Sequence, residues 1–116
     1  MAKPELEFQH PTGEWRQAFP GVEGVNEQIL SFDPDTGDCT RLLRFDPGSD
    51  ASSSGKLVHD FWEEIYIISG ELTDLTLQET FTKGMYACRP PGMWHGPFMS
   101  GSGCLLLEIR YGALQK

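Results

Sequence analysis

The apolar runs of this chain are short, rich in β-branched and aromatic residues, and closed by turns built on glycine or proline. Residues 63–69 (Glu-Glu-Ile-Tyr-Ile-Ile-Ser) read as a strand that stops at Gly70, and Cys39–Phe45 as one that ends before Pro47-Gly48. No segment sustains a 3.6-residue period, so helix is confined to a turn or two near the N-terminus. Strands are expected at Val25–Phe32, Cys39–Phe45, 56–59, 63–69, 72–77, 80–82, 85–88 and Cys104–Tyr111. Between the first two lies Asp33-Pro34-Asp35-Thr36-Gly37-Asp38. There proline presets one turn position and glycine permits positive φ, the mark of a hairpin. Short strands recurring at intervals of roughly ten residues imply an all-β sandwich or barrel. Residues 1–22 read as an N-terminal arm attached through Trp15, Phe19 and Pro20-Gly21, and 23–116 as a single domain.

Size and charge narrow the partners. A chain of 116 residues suffices for one core and is too short for two. Its net charge of −8 repels phosphate backbones and argues against nucleic acid. There is no basic amphipathic stretch and no apolar run approaching the ~18 residues of a membrane span. The N-terminus is charged and lacks the apolar core of a secretory signal. Cys39, Cys88 and Cys104 are odd in number and show no Cys-x-x-Cys spacing, which suggests reduced thiols and a cytoplasmic location.

Chemistry concentrates in three residues. His59 lies on one short strand, Glu63 near the start of the next, and His95 just beyond the rigid Pro90-Pro91-Gly92 turn. If the faces carrying them point inward, two imidazoles and a carboxylate meet and can bind a divalent transition metal with positions left open. The alternative is two ordinary polar histidines and a solvated glutamate. Phe61, Trp62, Trp94 and Phe98 flank these residues in sequence, as do Met93 and Met99, which suits a pocket for a small organic molecule. Filling a core or a dimer interface would explain the same rings. Arg44, if it faces inward, could hold a carboxylate or enolate oxygen by paired hydrogen bonds; an exposed or ion-paired arginine is the alternative. Glu64 should alternate outward from Glu63, and neither Tyr66 nor Arg110 can be assigned a face. There is no glycine-rich phosphate loop and no nucleophile elbow, and residues 33–38 lack the later glutamate of a calcium loop.

The spacing resembles the two motifs of the cupin superfamily. Gly84, Pro90, Gly92 and His95 fit the second motif, with Met99 in place of its asparagine. His59, Glu63 and Gly70 fit the first, with Leu57 at the position of its first histidine and Ala51 at that of its opening glycine. The Glu63-Glu64 doublet, Gly70-Glu71-Leu72-Thr73-Asp74, His95-Gly96-Pro97-Phe98 and Gly103-Cys104 make the likeness closest to ChrR-like cupins. Leu42-Leu43-Arg44-Phe45-Asp46-Pro47-Gly48 also looks like the strand and turn before the first motif in that group.

The resemblance implies a double-stranded β-helix, a jelly-roll barrel paired with a second copy as a homodimer. Such cupins commonly hold a metal with three histidines and a glutamate. Here His59, Glu63 and His95 would remain as a two-histidine, one-carboxylate set, for which Fe(II) is favoured and Zn, Mn or Ni are possible. Asp60 and Cys88 are the candidates to fill the vacancy at Leu57, while His10 reads as a surface residue. The implied function is a metal-dependent enzyme of dioxygenase or lyase/isomerase type acting on a small, partly apolar organic compound, with Glu64 or Tyr66 as weaker acid–base candidates. The other reading is a non-catalytic cupin that binds or senses a small molecule or metal, although the chain has no room for a helical sigma-binding domain.

Overall fold

The computed structural model describes residues 2–113, folded as two antiparallel sheets that share one long strand. The strands are β1 (Arg16–Gln17), β2 (Val25–Phe32), β3 (Cys39–Phe45), β4 (Ser49–Asp50), β5 (Trp62–Asp74), β6 (Glu79–Thr82), β7 (Tyr86–Arg89), β8 (Phe98–Ser100) and β9 (Cys104–Tyr111). One sheet runs β1-β2-β3-β9-β5-β7, and the other β4-β8-β5-β6. This is the curled, nearly all-β architecture expected. The hairpin between β2 and β3 is where the Asp33–Asp38 segment predicts it, closed by Asp33 N to Asp38 O at 2.8 Å and by Gly37 N to Asp33 O at 2.8 Å. No helix among the described residues is long and apolar enough to cross a membrane.

Four expectations are corrected. The strand read as ending at Gly70 continues through it to Asp74, so 63–69 and the first half of 72–77 are one element. Gly70 adopts φ +81°, next to a register shift between Ile67 and Ser69. A bulge at this point lets β5 leave one sheet and enter the other. Residues 56–59 do not form a strand; only Leu57 is bridged, to His95. The one helical turn among the described residues is the 3-10 turn Ser52–Ser54, not a turn in the N-terminal arm. The short strands β1, β4 and β8 are additional.

Alternation gives the molecule its inside. On β3 the buried residues are Cys39, Arg41, Leu43 and Phe45, and on β9 they are Cys104, Leu106 and Glu108. β5 contributes Glu63, Ile65 and Ile67. The inward rows are therefore apolar at one end, where Phe45, Leu106 and Val25 are almost fully enclosed, and charged at the other, where Arg41, Glu108 and Glu63 converge. At that charged end the buried groups pair with one another, as burial of charge requires. Gly13 and Trp15 lie against the outside of β2 and β3, while Val22 is part of the core. Gln28 Nε2 donates to Gly13 O (2.7 Å), and the Arg44 guanidinium sits 4.2 Å over the Trp15 ring.

Candidate metal centre

Three segments deliver the ligand candidates. Glu63 is on β5, inward-facing and only 3% exposed. His95 is positioned by a two-way backbone bridge, Leu57 N to His95 O (2.7 Å) and His95 N to Leu57 O (2.9 Å). His59 follows in the same irregular segment, and its carbonyl accepts from Gly92 N at 2.9 Å. From the other side Asp74 steadies the His95 loop, its Oδ2 accepting from Gly96 N at 3.4 Å. Thr76 Oγ1 adds a donor to Gly96 O at 2.7 Å. A Pro-Pro-Gly turn with backbone ties on both flanks leaves little freedom to the imidazole that follows it.

The result is a compact triangle. His59 Nε2 lies 3.6 Å from Glu63 Oε2, and His95 Nε2 lies 3.8 Å from Glu63 Oε1. All three ligand atoms fall within 4.8 Å of one another. Ligand atoms each ~2.1 Å from one transition ion lie ~3.0–3.4 Å apart in octahedral or tetrahedral geometry, so the imidazoles would draw in on Glu63 by a few tenths of an ångström and the widest pair would close by somewhat over ~1 Å. His95 Nδ1 is 3.2 Å from Met93 O. A carbonyl can only accept, so Nδ1 carries the proton and Nε2 keeps its lone pair toward Glu63. Burial, then the charges of Arg110 and His95, push the His59 imidazole down to about 4. Burial and Arg89 also push His95 below its usual range. Both rings are thus neutral at physiological pH, the form that ligates metal. Burial, then the charge of Glu108, raises the Glu63 carboxyl above its usual range against the pull of Arg89 and Arg110.

Around the triangle lies a set of buried charges that the sequence reading did not single out. Arg89 Nη1 donates to Glu63 Oε1 at 3.0 Å, and Arg110 Nη2 approaches Glu63 Oε2 at 3.8 Å. Arg41 donates twice to Glu108, through Nε at 2.8 Å and Nη2 at 3.0 Å, and also to Glu27; Arg110 Nε donates to Glu108 as well. Burial works against the Glu108 charge, but Arg41 and Arg110 outweigh it and hold the carboxyl below its usual range. Alternation along β3 and β9 was the available signal: Arg41 shares a face with Leu43 and Phe45, and Arg110 with Glu108.

The same alternation decides Arg44. It points to the outer face, paired with Asp46 at 3.6 Å and stacked on Trp15, and lines neither cavity described here. Trp62 is also outward, stacked on Tyr111 at 6.5 Å. Glu64 lies on that outer face too, accepting from Tyr86 Oη, and Tyr66 is exposed there. The other three aromatic candidates stand at the centre or its approach. Phe61 stacks on His59 at 4.5 Å, Phe98 lies 6.1 Å from the His95 ring, and Trp94 is 62% exposed at a cavity wall. Among the described residues neither Asp60 nor Cys88 joins the three-ligand cluster, and Cys88 is exposed opposite Glu64.

Two cavities meet here. A small one of about 40 Å³ is bounded by His59, Glu63, His95 and Leu57, together with Arg110 and Glu108. It has room for an ion and a water or two. A larger one of about 400 Å³ shares Arg89 and His95 with it and is otherwise mostly apolar. That volume is in the ordinary range for a small organic ligand.

A family model for the ChrR cupin-like domain matches residues 7–114. No curated protein matches the sequence significantly. Among solved structures, an RmlC-like cupin from Shewanella frigidimarina is 20% identical, with a TM-score of 0.73 over 99% of this chain and 97% of that one. An acetylacetone dioxygenase from Acinetobacter johnsonii is 17% identical, with a TM-score of 0.68 over 94% of this chain and 80% of its own. The complex of Rhodobacter sphaeroides SigE with the anti-sigma ChrR matches at 19% identity and a TM-score of 0.62, over 84% of this chain and 48% of that one. At these identities the structures bear on the fold.

Proposed function

This chain belongs to the ChrR cupin-like family, and on that footing we propose that it is a metal-dependent enzyme acting on a small, partly apolar organic compound. His59, Glu63 and His95 would hold one divalent ion, with Fe(II) favoured by the two-histidine, one-carboxylate set. When bound, such an ion supplies either oxygen activation or Lewis-acid polarisation of an enolisable group. The chain's own residues do the rest. Met93 O fixes the His95 tautomer, Arg89 and Arg110 orient the Glu63 carboxylate, and Phe61 and Phe98 pack against the imidazoles to limit water. The 400 Å³ cavity accepts the organic body. The observation that carries this reading is the convergence of two neutral imidazoles on one buried carboxylate, with all three ligand atoms within 4.8 Å of one another. The similarity to an acetylacetone dioxygenase supports oxygen chemistry on a diketone-like compound as the first case to try. A cytoplasmic location fits the three free thiols and belongs to the same proposal.

The test begins with protein purified without a His-tag. One ion per chain by elemental analysis, and a melting temperature that falls on chelation, are expected. His95→Ala should abolish both, together with metal-dependent oxygen uptake or absorbance change across diketone, phenolic and keto-acid panels. No metal retained after loading with iron, manganese, zinc or nickel would falsify the proposal.

One observation favours a second reading, a non-catalytic binder or sensor. Leu57 leaves the centre one imidazole short, while Arg89 and Arg110 already give Glu63 two cationic partners. Ligand-dependent stabilisation with no turnover on the same panels supports that reading.

A further inference from the structure

We propose that the large cavity takes an organic anion, a carboxylate carried on an apolar body, and that Arg89 and Lys56 select its charge. This deepens the functional reading above and rests on it in treating that cavity as the substrate's.

The walls come from β5, β6, β7 and the loop before His95, and they are hydrocarbon: Ile65, Leu72, Phe81, Met85 and Trp94 among them. Such walls accept an apolar body without discriminating by charge. Discrimination falls to the charged side chains that line the cavity, which are Asp74, Lys56 and Arg89. Asp74 is already committed. Its Oδ1 accepts from Thr76 N (2.9 Å) and Leu77 N (3.0 Å), and its Oδ2 from Gly96 N. It is 2% exposed and serves the turn rather than a ligand.

The two cations are not committed in that way. Lys56 pairs with no carboxylate among the described residues. Arg89 gives one nitrogen to Glu63, while a guanidinium carries five N–H donors. Both Glu63 and Glu108 line the smaller cavity and not the larger. Lys56, unpaired among the described residues, and the N–H groups that Arg89 does not give to Glu63 are therefore the cationic donors this cavity can offer an anion. A guanidinium buried with donors to spare is stabilised by an incoming carboxylate more than by any neutral group of the same shape. Because Arg89 and His95 line both cavities, the anionic end would sit beside the three-ligand centre, with the apolar body directed toward exposed Trp94.

The experiment uses metal-stripped protein, so its outcome is independent of whether the centre binds an ion. Calorimetric titration compares 4-phenylbutanoate with 4-phenylbutanamide, which share a body and differ in charge. The carboxylate should bind about tenfold tighter or better, in keeping with a charge-assisted hydrogen bond. Arg89→Gln should erase the preference and Lys56→Gln should reduce it about threefold or more, with amide affinity falling less than carboxylate affinity in both. Lys56 is exposed, so its variant keeps the test valid even where Arg89→Gln lowers stability. Equal affinity for the two probes, no saturable binding of either, or a preference that survives both substitutions overturns the proposal. Elemental analysis of the same preparation after metal loading reports separately on the metal reading.

Discussion

Leu57 stands at the wall of the small cavity, with its backbone locked to His95, where an imidazole would complete a four-ligand set. Leu57→His should therefore raise affinity for divalent transition metals by at least the ~10-fold that even an outer partner of a ligand contributes. Competition against a fluorescent chelator measures this, and unchanged affinity would show that the side chain does not reach the centre. The lowered His59 pKa sets a pH dependence of definite sign. Unfolded, the imidazole titrates near its ordinary value of 6.5; folded, it takes a proton only near about 4. Between those values the unfolded chain binds the proton and the folded chain does not, so His59 costs stability as pH falls through this window. Metal-free wild type should lose melting temperature relative to His59→Gln from pH 6.5 to pH 4, and parallel curves would contradict the assignment. The three ligand candidates were legible because cupin-like spacing names them one by one. The arginines were harder. An isolated Arg is ambiguous in sequence, and only its strand partners, Leu43 and Phe45 for Arg41, reveal that it is on the buried face while Arg44 is not.

β5 is the element on which the centre depends. It pairs with β9 and β7 before Gly70 and with β6 and β8 after it. At Gly70 an added Cβ would lie 2.0 Å from Gly103 O, and φ is +81°. Gly70→Ala should cost about 1–3 kcal/mol from the backbone conformation alone, with the clash adding to it. Denaturant unfolding gives the number; a loss under about 0.5 kcal/mol, the level of an ordinary surface change, would mean the crossing does not need this glycine. Here the sequence was read too literally. Glycine is the usual end of a strand, and nothing local distinguishes a stop from a bulge when the ladder resumes on new partners. The hairpin at residues 33–38 was legible for the opposite reason, since all its determinants are adjacent. Residues 56–59 do not extend as a strand because a strand needs a partner along its length, and only Leu57 has one.

At the scale of the whole molecule, the outer face of the six-stranded sheet presents Trp62 (40%), Tyr66 (48%), Ile68 (43%) and Tyr86 (59%) to solvent. Exposed apolar side chains gathered on one sheet face mark an interaction surface. A homodimer through this face is the expected assembly, and Tyr66→Glu should weaken it about 30-fold or more, the scale of a hot-spot residue. Light scattering after size exclusion decides the matter; a monomeric wild type at micromolar concentration, or an unaffected variant, would exclude it. The location of the ligand triangle has a mechanical corollary. Glu63 belongs to one sheet, while Asp74, at the far end of the same strand and inside the other, anchors the loop that bears His95. Ligation would therefore act as a rivet between two layers that share one strand and a common apolar core, and a cation filling the triangle would brace the bulge at Gly70 from a distance.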